Sequence, residues 1–247
     1  MLVLTVIPML SFNYPETADR KTAAVCTFFV SKYIDFSELN GNAALAGSIA
    51  TLADDPKFDL TSVLNNFHDK FFNTYAKAFP FDLMAESEVI NNEQYKAYES
   101  KFGESGDADL SKIRQRYLCV EGYKPLQNFG LSKDNKNSTQ MLKIFDSADG
   151  VMFVYLNYSF VPKLAVGGTG SAGIRATINF RLWNKEGKKV FDMSESAVSK
   201  KTVALVGGIP AMKLDKLLPM CENASAELME DLEKRLPKIA KKVEKKF

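Results

Sequence analysis

Gly168-Thr-Gly-Ser-Ala-Gly173 spells G-x-G-x-x-G, the spacing with which a backbone cradles a dinucleotide pyrophosphate. That chemistry needs a helix to open at the third glycine, because free N-terminal amides and the helix dipole hold the anion. The residues that follow predict something else. Ile174, Ala176, Ile178, Phe180 and Leu182 alternate with Arg175, Thr177, Asn179 and Arg181, the period of a half-buried strand. Gly167 to Gly173 therefore reads as a flexible tip between two antiparallel strands. The alternative is a nest of backbone amides in which Gly168, Gly170 and Gly173 bind an anion or nucleotide. No G-K-[ST] follows, so a P-loop is excluded. Gly207-Gly208 reads as an ordinary turn. If the sheet brings both glycine loops to one end, they form a recognition surface.

His68 is the only histidine, so any histidine-dependent triad would have to be built on it. It falls inside a helical pattern, G-x-S-x-G is absent, and it reads as a partly exposed helix residue. Acidic pairs occur at Glu86 and Glu88, Asp107 and Asp109, and Asp146 and Asp149. A glycosidase needs two acids facing one another across a cleft, and these neighbours fall where turns and caps are expected. Asp134 to Thr139 has the flavour of a calcium loop but lacks its third-position acid, sixth-position glycine and twelfth-position glutamate. Cys26, Cys119 and Cys221 form no C-x-x-C pair, leaving either one disulfide or three buried thiols. Lys234, Arg235, Lys238, Lys241, Lys242, Lys245 and Lys246 read first as a solvated, dipole-favoured helix end. An anionic partner, or peripheral association with a membrane, is the second reading. No catalytic residue, metal site or cofactor is expected.

The 247 residues carry 32 basic and 30 acidic side chains, a balance that offers no field to draw in nucleic acid. With 46% hydrophobic residues the chain can bury a substantial core. Leu2 to Leu10 is a short apolar run whose length suits the h-region of a secretory signal peptide, although the basic n-region is missing. It is too short to span a membrane. Cys26 lies too far from it to complete a lipobox. Residues 1–20 are thus read as a signal-peptide remnant and extension, and 21–247 as one domain.

The elements that would position these groups can be read in order. Lys21 to Val30 predicts a buried strand, and Ala43 to Leu52 a short helix. Leu60 to Phe79 predicts a helix on the spacing of Val63, Leu64, Phe67, Phe71 and Tyr75, stopped by Pro80. Phe81 to Ala85 would be a strand, and Asn91 or Asn92 would cap a helix presenting Tyr95, Tyr98 and Phe102. Gly103 to Asp109 is a polar loop, and Tyr117 to Val120 is a helix or a strand. Ser138 or Thr139 would cap a helix ending at Phe145. Val151 to Val161, apolar on both faces, predicts a central strand. Ile174 to Trp183 and Val190 to Met193 would flank a turn, followed by an extended Thr202 to Val206. A long amphipathic helix closes the chain, with an apolar stripe from Leu214 to Ile239 and Pro237 bending or ending it.

This order of elements resembles a superfamily of bacterial envelope proteins. It includes the curli-secretion channel lipoproteins, the penicillin-binding-protein activator lipoproteins and the N-terminal domain of the Tol-Pal system's TolB. The matching segments are KTAAVCTFFV, LTSVLNNFHDKFFNTYAKAF, ADGVMFVY, IRATINFRLWNKEGKKVF and the terminal helix after Gly-Gly-Ile-Pro, over residues 21 to 240. The resemblance implies a mixed sheet flanked by helices and a non-enzymatic role in envelope assembly or scaffolding, with no functional positions carried over. The expected fold is an α/β (α+β) sandwich: a mixed, largely antiparallel sheet with helices packed on it. The expected function is that of an exported binding or scaffold protein with envelope protein partners. A small-ligand protein or enzyme using the Gly167 to Gly173 loop is the alternative.

Overall fold

In the computed structural model, residues 20–39, 43–102, 114–211 and 213–241 are described. The N-terminal apolar run and the Gly103 to Asp109 loop lie outside them. Strand β1 (Thr22–Asp35) is almost continuously apolar because it is interior to the sheet. It pairs in parallel with β4 (Gly150–Val166) on one side. On the other it pairs in parallel with β2 (Asp82–Leu83) and antiparallel with β3 (Tyr117–Cys119). The order is β2-β1-β4-β5-β7-β8, with β3 also on β1 and β6 also on β5. Antiparallel β4 and β5 (Thr169–Asn184) form the longest hairpin, and β6 (Lys189–Val198), β7 (Val203–Val206) and β8 (Ile209–Pro210) complete the eight strands.

Six helices accompany the sheet among the described residues: α1 (Ala43–Asp54), α2 (Thr61–Lys70), α3 (Glu86–Ile90), α4 (Glu93–Ala97), α5 (Asn137–Ile144) and α6 (Leu214–Ala240). The expected α/β fold with a largely antiparallel sheet and a long C-terminal helix is therefore present. Helix α2 runs into a π-helical turn at Phe71–Tyr75 and a 3-10 turn at Ala76–Ala78. The spacing explains the change of pitch. Phe67, Phe71 and Tyr75 are all buried at four-residue intervals. Four residues overshoot an α-turn by about 40°, and the wider π turn brings Tyr75 back to the sheet.

The core lies between the sheet and α2 and α6. Phe180 on β5 meets Phe71 at 5.1 Å and Phe79 at 6.0 Å, and Phe28 on β1 meets Phe67 at 4.8 Å between ring centroids. Two phenols tie α6 down. Tyr75 Oη donates to the carbonyl of Met229 at 2.8 Å, and Tyr158 Oη lies 2.7 Å from Ser225 Oγ. Buried Leu217, Cys221, Ala224, Leu228, Leu232 and Leu236 recur at three- and four-residue spacing along α6.

Several boundaries differ from expectation. Pro237 does not end α6, which continues to Ala240 with Leu236 and Ala240 both buried. Helix α5 begins at Asn137, capped by neither Ser138 nor Thr139. Instead the Asn128 side chain reaches across to accept from the Ser138 amide at 3.1 Å. Asn92 does cap α4 through the Tyr95 amide, but Tyr98 and Phe102 lie beyond the helix. Tyr117–Cys119 is a strand, and the strand after Pro80 is only Asp82–Leu83.

Candidate functional site

The glycine segment joins two antiparallel strands as its sequence suggests, but the turn is shorter than Gly167 to Gly173. Only Gly167 and Gly168 form the turn between β4 and β5, with φ of 59° and 79°. Positive φ at both central residues is the twist of a type I′ hairpin turn, which glycine adopts without strain. Gly170 and Gly173 sit inside β5, opposite Ala165 and Val161 of β4. The three candidate anion-binding glycines are thus spread over a turn and a strand. Gly173 has a different reason to be glycine. A Cβ there would stand 3.0 Å from both Lys163 Cε and Val198 Cγ1, where β6 gives way to β7 along the edge of β5.

The second double glycine, Gly207-Gly208, turns β7 into β8 with φ of 61° and 79°. The two turns meet: the Gly208 amide donates to the Gly168 carbonyl at 2.7 Å. A Cβ on Gly168 would lie 3.4 Å from the Gly208 nitrogen. Glu38 and Leu39 close the base of this end, lining a cleft of about 470 Å³ with Pro162 and Leu205. Glu38 is held there by an ion pair with Arg175 of β5.

The register sets what this end presents. Val166 pairs with Thr169, and Leu205 pairs with Gly170, so Val206 falls in line with Thr169 and Val166. Laterally aligned residues share a face, and Leu164 joins them by alternation. Leu164 is 72% exposed, Val166 79% and Val206 72%. Leu205, Ala172 and Val203 are buried on the opposite face. Three aliphatic side chains thus stand in solvent on one face of a platform pinned by two tight turns. Sequence reasoning missed them. Their signal was the apolar residue flanking each double glycine, Val166 and Val206.

The other chemical candidates are dispersed, and His68, Asp149 and Asn137 are engaged in local contacts. His68 Nε2 is 2.6 Å from Glu86 Oε1, and its ring packs against Phe28 and Phe72. The Tyr123 hydroxyl is buried beside them, and burial, then the neighbouring Glu86 carboxylate, pushes this phenol up. Glu88 is exposed on α3. Asp149 accepts from the Thr22 amide at 2.9 Å, anchoring the start of β1, whereas Asp146 is exposed. Asp107 and Asp109 lie outside the described residues. Asn137, within the segment weighed as a calcium loop, accepts from the Tyr98 hydroxyl at 2.6 Å and donates to the Lys101 carbonyl at 2.8 Å.

All three cysteines are free thiols. Burial raises the thiols of Cys26 and Cys221 and pushes Cys119 up to about 12. Among the described residues no cluster of histidine, cysteine and acidic side chains could hold a metal ion, and no helix is long and apolar enough to cross a membrane. On the basic helix end, Arg235 pairs with Asp231 at 2.7 Å and with Glu195, while Lys234, Lys238 and Lys241 are exposed. Lys242, Lys245 and Lys246 lie outside the described residues. In comparisons with known proteins, no family model and no curated protein matches the chain.

Proposed function

We propose that this chain is an exported, non-enzymatic binding or scaffold protein of a bacterial cell envelope, and that it engages a protein partner through its double-glycine end. One observation carries the choice of surface: Leu164, Val166 and Val206 are exposed together on one face of that end. Isolated exposed aliphatics are ordinary, but three on one face of a platform tied by two turns have the form of an interaction surface. The hydrogen bond from Gly208 to Gly168 ties the two turns together, which lowers the ordering a seated partner must impose. The envelope setting is supported by the resemblance in element order and by the apolar Leu2 to Leu10 run. A binding role is favoured over covalent chemistry by the state of the reactive groups. The thiols are held protonated by burial, and the single histidine is engaged with Glu86.

The test expresses the gene with its upstream codons and installs a photo-crosslinking residue at Val166, or at Glu186 in the turn at the opposite end of β5. The expected result is a product outside the cytosol, crosslinked to an envelope protein from Val166 and not from Glu186. Full-length protein confined to the cytosol, or equal crosslinking from both positions, overturns the proposal.

A further inference from the structure

The face of the sheet turned away from α2 and α6 also holds a cavity of about 570 Å³. That is within the range of roughly 300–1,000 Å³ typical of small-ligand sites. Its floor is made by residues that alternate with the core: Asn157 and Ser159 of β4, Thr177 and Asn179 of β5. Its walls carry Tyr33, Phe102, Tyr117 and Phe129. Phe102 and Tyr117 stack with planes 5° apart, and Phe129 stands 92% exposed at the site. A lone phenylalanine so exposed is costly to leave in water and useful as a platform for a ring.

Arg116 supplies the charge. Its guanidinium lies 5.3 Å from the centre of the Tyr33 ring. Its Nε is buried without a hydrogen-bond partner, and among the described residues no carboxylate pairs with it. Asp35, the acid that lines the same cavity, is taken up by the amide and hydroxyl of Ser37. The side chains of Asn157 and Ser159 are also without a hydrogen-bond partner among the described residues, although both are half-buried. An amide presents donors and an acceptor together, the complement of a ligand rich in hydroxyls.

We infer that this cleft binds an acidic saccharide: a pyranose unit bearing a carboxylate, its ring faces against the aromatic walls, its hydroxyls on Asn157 and Ser159, its carboxylate on Arg116. Three competing classes fit less well. A peptide strand would need a free backbone edge, but β4 lies between β1 and β5, and β5 between β4 and β6. A nucleotide's phosphates call for several cations or a helix N-terminus, and the cleft offers one guanidinium. An apolar ligand would leave the amides and hydroxyls of the floor unpaired.

The experiment is calorimetric titration of the whole protein with digalacturonate, with lactose as a neutral disaccharide of pyranose rings and citrate as an anion without a ring. Saturable binding of digalacturonate with Kd below about 1 mM is expected, weaker by roughly tenfold or more for lactose and for citrate. Asn157→Ala and Arg116→Lys should each weaken digalacturonate by about tenfold, with circular dichroism and melting unchanged for Asn157→Ala. Four results each overturn the inference. They are no saturable heat, citrate binding as tightly as digalacturonate, lactose doing so, or full affinity retained by Asn157→Ala and Arg116→Lys together.

Discussion

Strands β4 and β5 show two faces made from alternate residues of the same two segments. Nearer Gly150 both are buried, Val151 and Phe153 included, whereas toward the cleft the two faces have opposite character. On one, Val154, Leu156, Ile178 and Phe180 are fully buried under α2 and α6. On the other, Asn157, Ser159 and Thr177 are half-buried and line an open cleft, and Arg181 lies over the ring of Tyr155. The difference follows from what covers each face. A helix packed on a sheet leaves no water to pair with, so an unpaired amide beneath it would cost roughly 1–3 kcal/mol. Polar side chains are tolerated where helices are absent, and it is there that binding groups accumulate. A strand with period two thus carries stability and recognition on separate residues.

The contrast is broken most directly by truncating one residue from each face. Phe180→Ala removes a ring in contact with Phe71 and Phe79, and unfolding in urea should register a loss of about 3–5 kcal/mol. Thr177→Ala, three positions earlier on the open face, should stay within about 0.5 kcal/mol. Equal losses would mean that the open face is also core. A graded effect should appear with alkali. Tyr95, Tyr158, Cys26 and Cys221 are buried and their protons are held more tightly when folded, burial being the main cause. Above the unfolded values, about 8.5 for thiols and 10 for phenols, the unfolded chain sheds protons that the folded chain keeps. The stabilisation is complete below those values and falls as pH rises. Cys119, Tyr98 and Tyr155 extend the loss toward their own folded values of about 12. Urea midpoints measured from pH 8 to 11 should therefore decline steadily, and a rising midpoint would contradict the burial of these groups.

How far this division was legible beforehand differs from element to element. The alternation after Ile174 identified both faces of β5, because a period of two is written residue by residue. The run of Val151 to Val161, largely apolar on both faces, identified a central strand on a different ground, that a strand covered on both sides needs no alternation. The glycines between them misled. Glycine weakens a strand taken alone, so Thr169 to Gly173 reads as loop, yet pairing with β4 and β7 on either side carries β5 through it. Pro237 misled in the same way, since burial of Leu236 and Ala240 holds the helix across it. Neither candidate surface could be read locally. The exposed face at the tip depends on Gly208 meeting Gly168, and the cleft depends on Arg116 reaching Tyr33. Both are contacts between distant segments.

The tip sharpens the comparison at smaller scale, because its turn separates backbone strain from packing. Nothing lies within 4 Å of where a Cβ would sit on Gly167, and its φ is 59°. Gly167→Ala should therefore cost about 1–2 kcal/mol through conformation alone. Gly167→Asn, whose side chain tolerates that region, should recover most of it. Matching unfolding curves for the two variants would show that the turn is not left-handed.

The smallest expected effect on stability belongs to the residues assigned the interaction. Leu164 and Val166 are exposed on a face with no helix over it, so Leu164→Ser with Val166→Ser removes apolar surface already in water. Such changes ordinarily stay within about 0.5 kcal/mol, so the melting transition should scarcely move. Crosslinking to the partner from Val206 should nevertheless fall sharply, because the face the partner covers has lost two of its three aliphatic groups. The two readouts must separate for the assignment to stand. If melting drops with crosslinking, Leu164 and Val166 belong to the core after all. If crosslinking is untouched, the aliphatic face is incidental, and the partner is held elsewhere on the molecule.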